Sequence, residues 1–428
     1  VSATCAIATL GCKTNQFESA AMEELLVRAG YRPVPFDEGA DLVVINTCTV
    51  TAATDAQSRN LIRRARRINS RCRIVVTGCY AQIDPQALAD LPGVGVVLGN
   101  EEKRHLIDFI AAGEGGIHVG DIRRHAGPAM SLSTFSGRSR AFVQIQNGCD
   151  AFCSYCIIPH ARGPSRSVPA DEVVRQVGGL AGSGFAEVVL TGIHVGLYGR
   201  DLEPPCSLLD LAGRIERETA LRRLRLGSME PLEISPELIG FVADSPLLCP
   251  HFHIPLQSGD DAVLRRMNRH YGADFFRSLS VHILRRVPDA AIGCDVITGF
   301  PGETEQEFEN TRRLLEELPV THLHVFPFSR RPGTPAADMP GQVPGRIAKD
   351  RATLLREMGE RKLEKFSRSF IGRTLEVVVE GKGRAGERKG LTGNYLSVFF
   401  AGTDDLEGKL VPIIIEDWTD KGLRGRIV

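Results

Sequence analysis

The chain has 428 residues, 43% of them hydrophobic and 24% charged, with 52 Lys and Arg balancing 52 Asp and Glu. That is two or three ordinary domains with enough length to bury cores, and the balance of charge by itself predicts no partner. No apolar run approaches the ~18 residues of a membrane helix, and Val1–Leu10 carries no basic leader, so the expectation is a cytoplasmic protein with no membrane.

Residues 1–125 read as an α/β domain. CAIATLGC (Cys5–Cys12) is a short apolar strand ending in a turn, and Phe17–Ala29 has helical spacing with Ala20, Leu25 and Leu26 on one side. ADLVVINTC (Ala40–Cys48) and RIVVTGC (Arg73–Cys79) are further strands, separated by an arginine-rich helix. Alternating strands and helices predict a parallel sheet covered by helices. Residues 126–140, within a stretch rich in Gly, Ser and Arg, read as a linker. Over 141–367 strands are expected at AFVQIQ, AEVVLTG, RRLRLGS, HFHIPLQ, AAIGCDVITGF and THLHVFPFS, with helical segments between them. That pattern predicts a partial (βα)6 barrel, with chemistry at the carboxyl ends of its strands. Residues 368–428 alternate like a small antiparallel β-barrel, with its best strands at Leu375–Gly381, Asn394–Gly402 and Gly408–Asp417.

The eleven cysteines are odd in number and several stand at strand ends, which favours thiols kept for metal in a reducing compartment. Two triads stand out. Cys149, Cys153 and Cys156 follow the first barrel strand in a C-x3-C-x2-C loop with no fourth cysteine nearby. Structural zinc wants four protein ligands and ordinary clusters four thiolates. Three thiolates on a four-iron cube leave one iron open. That iron can chelate the amino and carboxylate groups of S-adenosylmethionine, and an electron from the cluster then breaks the sulfonium bond to give a 5′-deoxyadenosyl radical. The rival reading is zinc, with His160 as fourth ligand. Candidate contacts for the S-adenosylmethionine are Tyr155 in the loop and, at later strand ends, Thr191, Gly192, Ser228, Glu230, Gln257 and Ser258. Gly299 and Gly302, in a Gly-Pro-Gly turn, would allow close approach of adenine or ribose.

The second triad is Cys12, Cys48 and Cys79, each at a strand end beside Asn, Thr or Gln. In a parallel sheet such ends lie along one edge, so a shared metal site is the better reading than scattered structural thiols. Cys5, Cys72, Cys206, Cys249 and Cys294 lack such grouping and are assigned to packing or solvent. His251 and His253 alternate as on a strand and are read as orienting a loop or touching substrate rather than binding metal.

Charge is uneven along the chain. Residues 59–73 hold seven arginines and no acid, and residues 346–391 hold thirteen Lys or Arg against seven Asp or Glu. Arg63 and Arg67 on a helix, with Arg384, Arg388 and Lys389 on a Gly-rich loop of the small barrel, suit the phosphates of structured RNA. Tyr395 and Phe399 could stack on bases or serve the core.

At this point the chain resembles the radical methylthiotransferases over nearly its whole length. GCKTNQFES, NTCTVT and GCYAQ match the first domain of that family, GCDAFCSYCIIPHARG its radical triad, and TGIHVGLYG, PLQSGDD, GFPGET and HVFPFSRRPGTPA the rest of its barrel. EGKGRAGERKGLTGNYLSVFF looks like its RNA-binding TRAM segment. His160, Pro164 and Gly227 depart from the commonest pattern. The resemblance implies two 4Fe-4S clusters, one on each triad. One S-adenosylmethionine would methylate sulfur at the auxiliary cluster, and another would yield the radical that removes hydrogen from C2 of a tRNA adenine. The branch it favours acts on N6-threonylcarbamoyladenosine at position 37; isopentenyladenosine tRNA or a ribosomal protein are the alternative substrates. The implied partners are a tRNA anticodon stem-loop, an electron donor such as a flavodoxin or ferredoxin, and a sulfur source; the oligomeric state is left open, a monomer being plausible. A non-enzymatic RNA-binding protein with structural metal sites is the rival outside this class.

Overall fold

The computed structural model describes residues 3–113, 115–124, 130–133, 138–382 and 386–428. Two compact units divide the chain, and they do not follow its order: Val1–Ser136 joins Gln144–Val168 and Ser329–Ala337 in one, while Gly137–Val143, Pro169–Phe328 and Asp338–Val428 form the other.

The first unit is built on a six-stranded sheet. Its strands run Arg32–Pro33, Thr4–Thr9, Leu42–Thr47, Arg73–Gly78, Val94–Leu98 and Gly116–His118 in spatial order, and every neighbouring pair is parallel. The central strands are apolar on both faces, as a sheet sandwiched by helices requires. Ile45, Ile74 and Val76 pack against helix Ala52–Ile68 on one side. Leu42, Val44 and Val75 pack with Met22 and Leu26 of helix Lys13–Arg28 on the other. The helix expected at Phe17 begins four residues earlier, with Cys12 as its N-cap.

The second unit carries the expected partial barrel. Strands Ala141–Gln144, Glu187–Thr191 and Arg223–Leu226 form one arc, and His251–His253, Ala291–Thr298 and His322–Pro327 another. Bridges Leu224–Leu248 and Ser228–His253 join the arcs. The C-terminal barrel closes in the order Thr374–Lys382, Glu387–Thr392, Ser397–Ala401, Gly422–Ile427, Leu410–Thr419. It is not wholly antiparallel, because Ser397–Ala401 and Gly422–Ile427 pair in parallel. The segment read as the end of a basic loop is the second barrel strand: Glu387 to Leu391 pair with Ala401 to Ser397.

Glu187 holds the two parts of this unit together. It is fully buried with Arg225 beside it at 2.9 Å, Arg223 at 3.2 Å and Arg140 at 3.3 Å. The arginines in turn donate to carbonyls of the small barrel: Arg223 to Glu376 at 2.7 Å and Leu391 at 3.1 Å, Arg225 to Gly393 at 2.8 Å and Thr392 at 3.1 Å. Burial alone would raise the Glu187 carboxyl, but Arg225, Arg140 and Arg223 hold it at about 2. Glu187→Gln leaves buried guanidinium charge uncompensated and is expected to cost about 3–5 kcal/mol. Because the folded value lies below the ordinary 4.5, this contribution is complete above that pH and is lost as pH falls towards about 2. Thermal unfolding of the two proteins should therefore diverge at pH 7 and converge in acid; equal stability at pH 7 would remove Glu187 from this role.

Candidate functional site

Three neighbouring parallel strands of the first unit each run out at a cysteine. Thr9 pairs with Asn46 and Thr47 with Gly78, so Cys12, Cys48 and Cys79 leave the sheet along one carboxyl edge. The edge is tightly packed. Gly78 has φ 98°, and a Cβ there would stand 2.4 Å from the Thr47 carbonyl oxygen. Gly11 repeats that φ, and its Cβ would stand 2.9 Å from Cys48 Sγ. Cys48 and Cys79 are buried and Cys12 is exposed. Burial, and then the neighbouring Cys79, push the Cys48 thiol up to about 11.

The other triad, Cys149, Cys153 and Cys156, sits in the same unit. Its loop is pinned by Cys149 N–H on the Gly163 carbonyl at 3.0 Å, by Cys156 N–H on the Cys153 carbonyl at 2.9 Å, and by the buried Gln146 amide on the Gly148 carbonyl at 2.8 Å. Gly148 admits no side chain: φ is 75° and a Cβ would lie 1.8 Å from the Pro164 oxygen.

Behind the loop, helix Ile158–Arg162 delivers Arg162 into the interior with no exposed surface. Its guanidinium reaches Glu18 at 2.6 Å, Asn15 at 2.5 Å and Asn147 at 3.1 Å. Glu18 also pairs with buried Lys103 at 2.6 Å, and Asn15 donates to the Leu10 and Thr47 carbonyls at 2.7 and 3.0 Å. One buried network thus runs from the base of the Cys149–Cys156 loop to the strand ends bearing Cys12 and Cys48. Burial would raise Glu18, but Arg162 and Lys103 hold it at about 2. Two basic side chains face one carboxylate here; burial lowers Lys103 and disfavours the Arg162 cation, but the neighbouring Cys79 and Glu18 side chains hold Arg162 above its ordinary range.

A second strut comes from residues 329–337. Arg331 donates to Thr49 at 2.6 Å and to Asp55 at 2.7 Å, Ser329 Oγ accepts from Ala52 N–H at 3.1 Å, and Ala336 N–H donates to the Ser154 carbonyl at 2.8 Å. The turn after Cys48 and the loop of Cys153 share this segment.

The donor chemistry suits iron–sulfur clusters better than zinc. A tetrahedral zinc with bonds of ~2.3 Å draws its sulfurs to within about 4 Å of one another. Among the described residues no cysteine belongs to a set of three ligating atoms within 4.8 Å; the one such set is His253, Asp295 and His324. His160, the expected fourth zinc ligand, turns Nδ1 towards Arg123 at 3.3 Å and its ring edge towards Phe152. A four-iron cube would spread its thiolates over separate corners.

The other expected site residues divide. Tyr155 lies half-buried in the first unit. Thr191, Gly192, Ser228, Glu230 and Gln257 stand at or just past strand ends of the second, with Glu230 salt-bridged to Arg269. Three others are committed to the fold. Ser258 Oγ lies 3.2 Å from Thr311 and accepts from Asp260 N–H at the same distance. A Cβ on Gly299 would stand 2.4 Å from Ala348, so that glycine serves helix packing rather than approach of a nucleoside. Gly302 donates its N–H to Gly341 at 2.7 Å in a positive-φ turn. Arg63 and Arg67 are exposed on their helix. Arg384 lies outside the described residues. Arg388 is not a surface cation: its guanidinium is 3% exposed, salt-bridged to Asp404 and directed at the Gly402 carbonyl, because its strand turns it inward. Lys389 is partly exposed and 3.8 Å from Glu380. Tyr395 is no base-stacking platform: its ring stacks on His251 at 4.6 Å and lies under Arg225 at 4.9 Å.

Arg162, Glu18, Lys103, Arg331 and Asp55 were not anticipated. A signal exists in helix Lys13–Arg28, where Thr14, Asn15, Glu18 and Ser19 recur at helical spacing and are all buried.

Comparison with known proteins follows this geometry. The chain matches Uncharacterized protein family UPF0004 over residues 4–99, the Radical SAM superfamily over 143–315 and the TRAM domain over 368–428. It is 38% identical over 426 residues to the threonylcarbamoyladenosine tRNA methylthiotransferase MtaB of Bacillus subtilis, covering 96% of this chain and 94% of that one. To the tRNA-2-methylthio-N(6)-dimethylallyladenosine synthase of Syntrophotalea carbinolica it is 35% identical, over 95% of each chain. Among solved structures it is similar in fold to the radical S-adenosylmethionine methyltransferase TsrM of Kitasatospora setae, at TM-score 0.56 and 17% identity over 78% of this chain and 75% of that one. The paired cysteine sites, the partial barrel and these likenesses together show that the chain belongs to the MtaB-type tRNA methylthiotransferases, enzymes of the radical S-adenosylmethionine class.

Proposed function

We propose that this enzyme converts N6-threonylcarbamoyladenosine at position 37 of tRNA to its 2-methylthio derivative. The observation that carries this reading is the edge where Cys12, Cys48 and Cys79 end three adjacent strands, in one compact unit with Cys149, Cys153 and Cys156. The named activity of the 38% identical relative supplies the substrate.

Cys149, Cys153 and Cys156 would hold one 4Fe-4S cluster with room for S-adenosylmethionine. Cys12, Cys48 and Cys79 would hold a second. Bound there, the clusters and S-adenosylmethionine supply the one-electron chemistry that opens an unactivated C–H bond and the sulfur that replaces it. The protein's part is to hold and shield. Arg162 and Lys103 balance thiolate charge, and Gly148 fixes the loop. Thr191, Gly192, Ser228, Glu230 and Gln257 are the residues we assign to S-adenosylmethionine, and Tyr155 to its edge. Exclusion of water and close placement matter because the radical reacts with whatever lies nearest. Electrons come from a flavodoxin or ferredoxin and sulfur from an external donor. Such clusters call for a reducing, cytoplasmic setting, in keeping with eleven free cysteines.

Cys153→Ala is expected to abolish 5′-deoxyadenosine formation, whereas Cys48→Ala retains it and loses sulfur insertion. Iron content and nucleoside masses after anaerobic incubation with tRNA read both, and normal methylthio product from the Cys48 variant would refute the auxiliary role. The exposed Arg63 and Arg67 are assigned to the tRNA backbone. Replacing both by Gln should weaken tRNA binding and lower the slope of log K against log salt by roughly 1–2; an unchanged slope would take that helix out of the RNA interface.

A further inference from the structure

The second arc of the barrel has two unlike faces. Phe252, Ile292, Cys294, Val296 and Val325 are buried, and helix Gly345–Arg368 covers that side, accepting a hydrogen bond from Thr298 Oγ1 at the Ala348 carbonyl, 2.8 Å away. Strand alternation turns His253, Asp295 and His324 to the other face, where Asp295 pairs in register with His324 and Gly293 with His322. His253 Nε2 lies 3.2 Å from the Asp295 carboxylate and His324 Nδ1 3.3 Å from it. Burial would raise that carboxyl, yet hydrogen bonds from the two rings hold it well below the usual range, so it is ionised. Each ring spends one nitrogen on Asp295 and keeps its second. Gly293 leaves room for the arrangement, since a Cβ there would stand 3.0 Å from His253 Nδ1.

A cross-strand tie made only for stability would be sealed. This one is open: the His324 side chain is 51% exposed and Asp295 27%. One layer towards the strand starts, the face is closed by Tyr395 with His251 and His322 against its ring. Arg225 and Arg140 lie near that ring, and Arg223 joins them on Glu187. Three guanidiniums there meet the carboxylates of Glu187 and Glu380. An anionic group lodged against His324 and His253 would find the two rings in front and the guanidiniums of Arg140, Arg223 and Arg225 behind, set against the carboxylates of Glu187, Glu380 and Asp295.

We propose that His324 and His253, oriented by Asp295, bind the carboxylate of the amino-acid arm carried by the substrate adenine, and so select a threonylcarbamoyl base over one with an apolar arm. This rests on the substrate assigned above. A histidine ring that carries both protons donates through both nitrogens, so one can serve Asp295 and the other the ligand. Two imidazoles and a carboxylate within 4.8 Å could instead take a divalent cation, and the test separates the two.

The experiment compares two tRNAs with reconstituted enzyme under argon: one bearing the threonylcarbamoyl group, the other its methyl ester, which keeps the shape and removes the charge. The wild type should favour the acid by about tenfold or more in kcat/KM, the size expected for a charged hydrogen bond. His324→Gln should shrink that preference to below about threefold, with iron content and substrate-independent 5′-deoxyadenosine formation unchanged. His253→Gln, read in the same way, covers the case in which the first variant does not fold. Equal use of acid and ester by the wild type overturns the inference and leaves the methylthiotransferase reading standing, whereas failure to modify either tRNA overturns both. Equal loss on both tRNAs in the variants, or one equivalent of non-cluster zinc or manganese that the variants lack, also overturns it.

Discussion

The contact between Arg162 and Glu18 is the constraint on which the first unit depends. It joins a residue just behind the Cys149–Cys156 loop to one 144 positions earlier on the first helix, with both side chains buried. Buried ion pairs gain little net stability against apolar packing. In this one Lys103 shares the same carboxylate. Such an arrangement suits anionic ligands at the sheet edge, because Cys79 and Cys12 stand near enough to Arg162 for charge there to act on it.

Stiffness follows from redundancy. The Cys149–Cys156 loop is held through Arg162 on one side and through the Ser154–Ala336 bond on the other, and the segment carrying Ala336 is itself locked by Arg331 to Thr49 and Asp55. Both triads therefore belong to one packed body. For chemistry in which hydrogen is taken and sulfur delivered at one carbon, a fixed relation between two cofactor sites is worth more than any single contact to substrate.

Much of this was legible in the sequence. Strands ending at Cys12, Cys48 and Cys79 announce themselves by apolar runs closed with Gly-Cys or Thr-Cys, and all six barrel strands lie where alternation and turns put them. The rest depended on tertiary context. Nothing local says that residues 144–168 belong to the same compact unit as the N-terminal sheet. The basic run at Glu387–Leu391 read as loop because its charges mask a strand whose Arg388 points inward to Asp404. Gly299 looked like a place for a nucleoside and is instead a place for a helix. His253, Asp295 and His324 come from three separate strands, so no short motif could reveal them.

The central claim of the proposal is that the two cysteine triads, one cluster on each, are held at one fixed separation by buried polar contacts within a single unit. Pulsed electron paramagnetic resonance on the singly and doubly reduced enzyme measures that separation through the dipolar coupling of the clusters. The account predicts one narrow inter-cluster distance, unchanged by S-adenosylmethionine. A broad distribution, or two clusters with no measurable coupling, would contradict it.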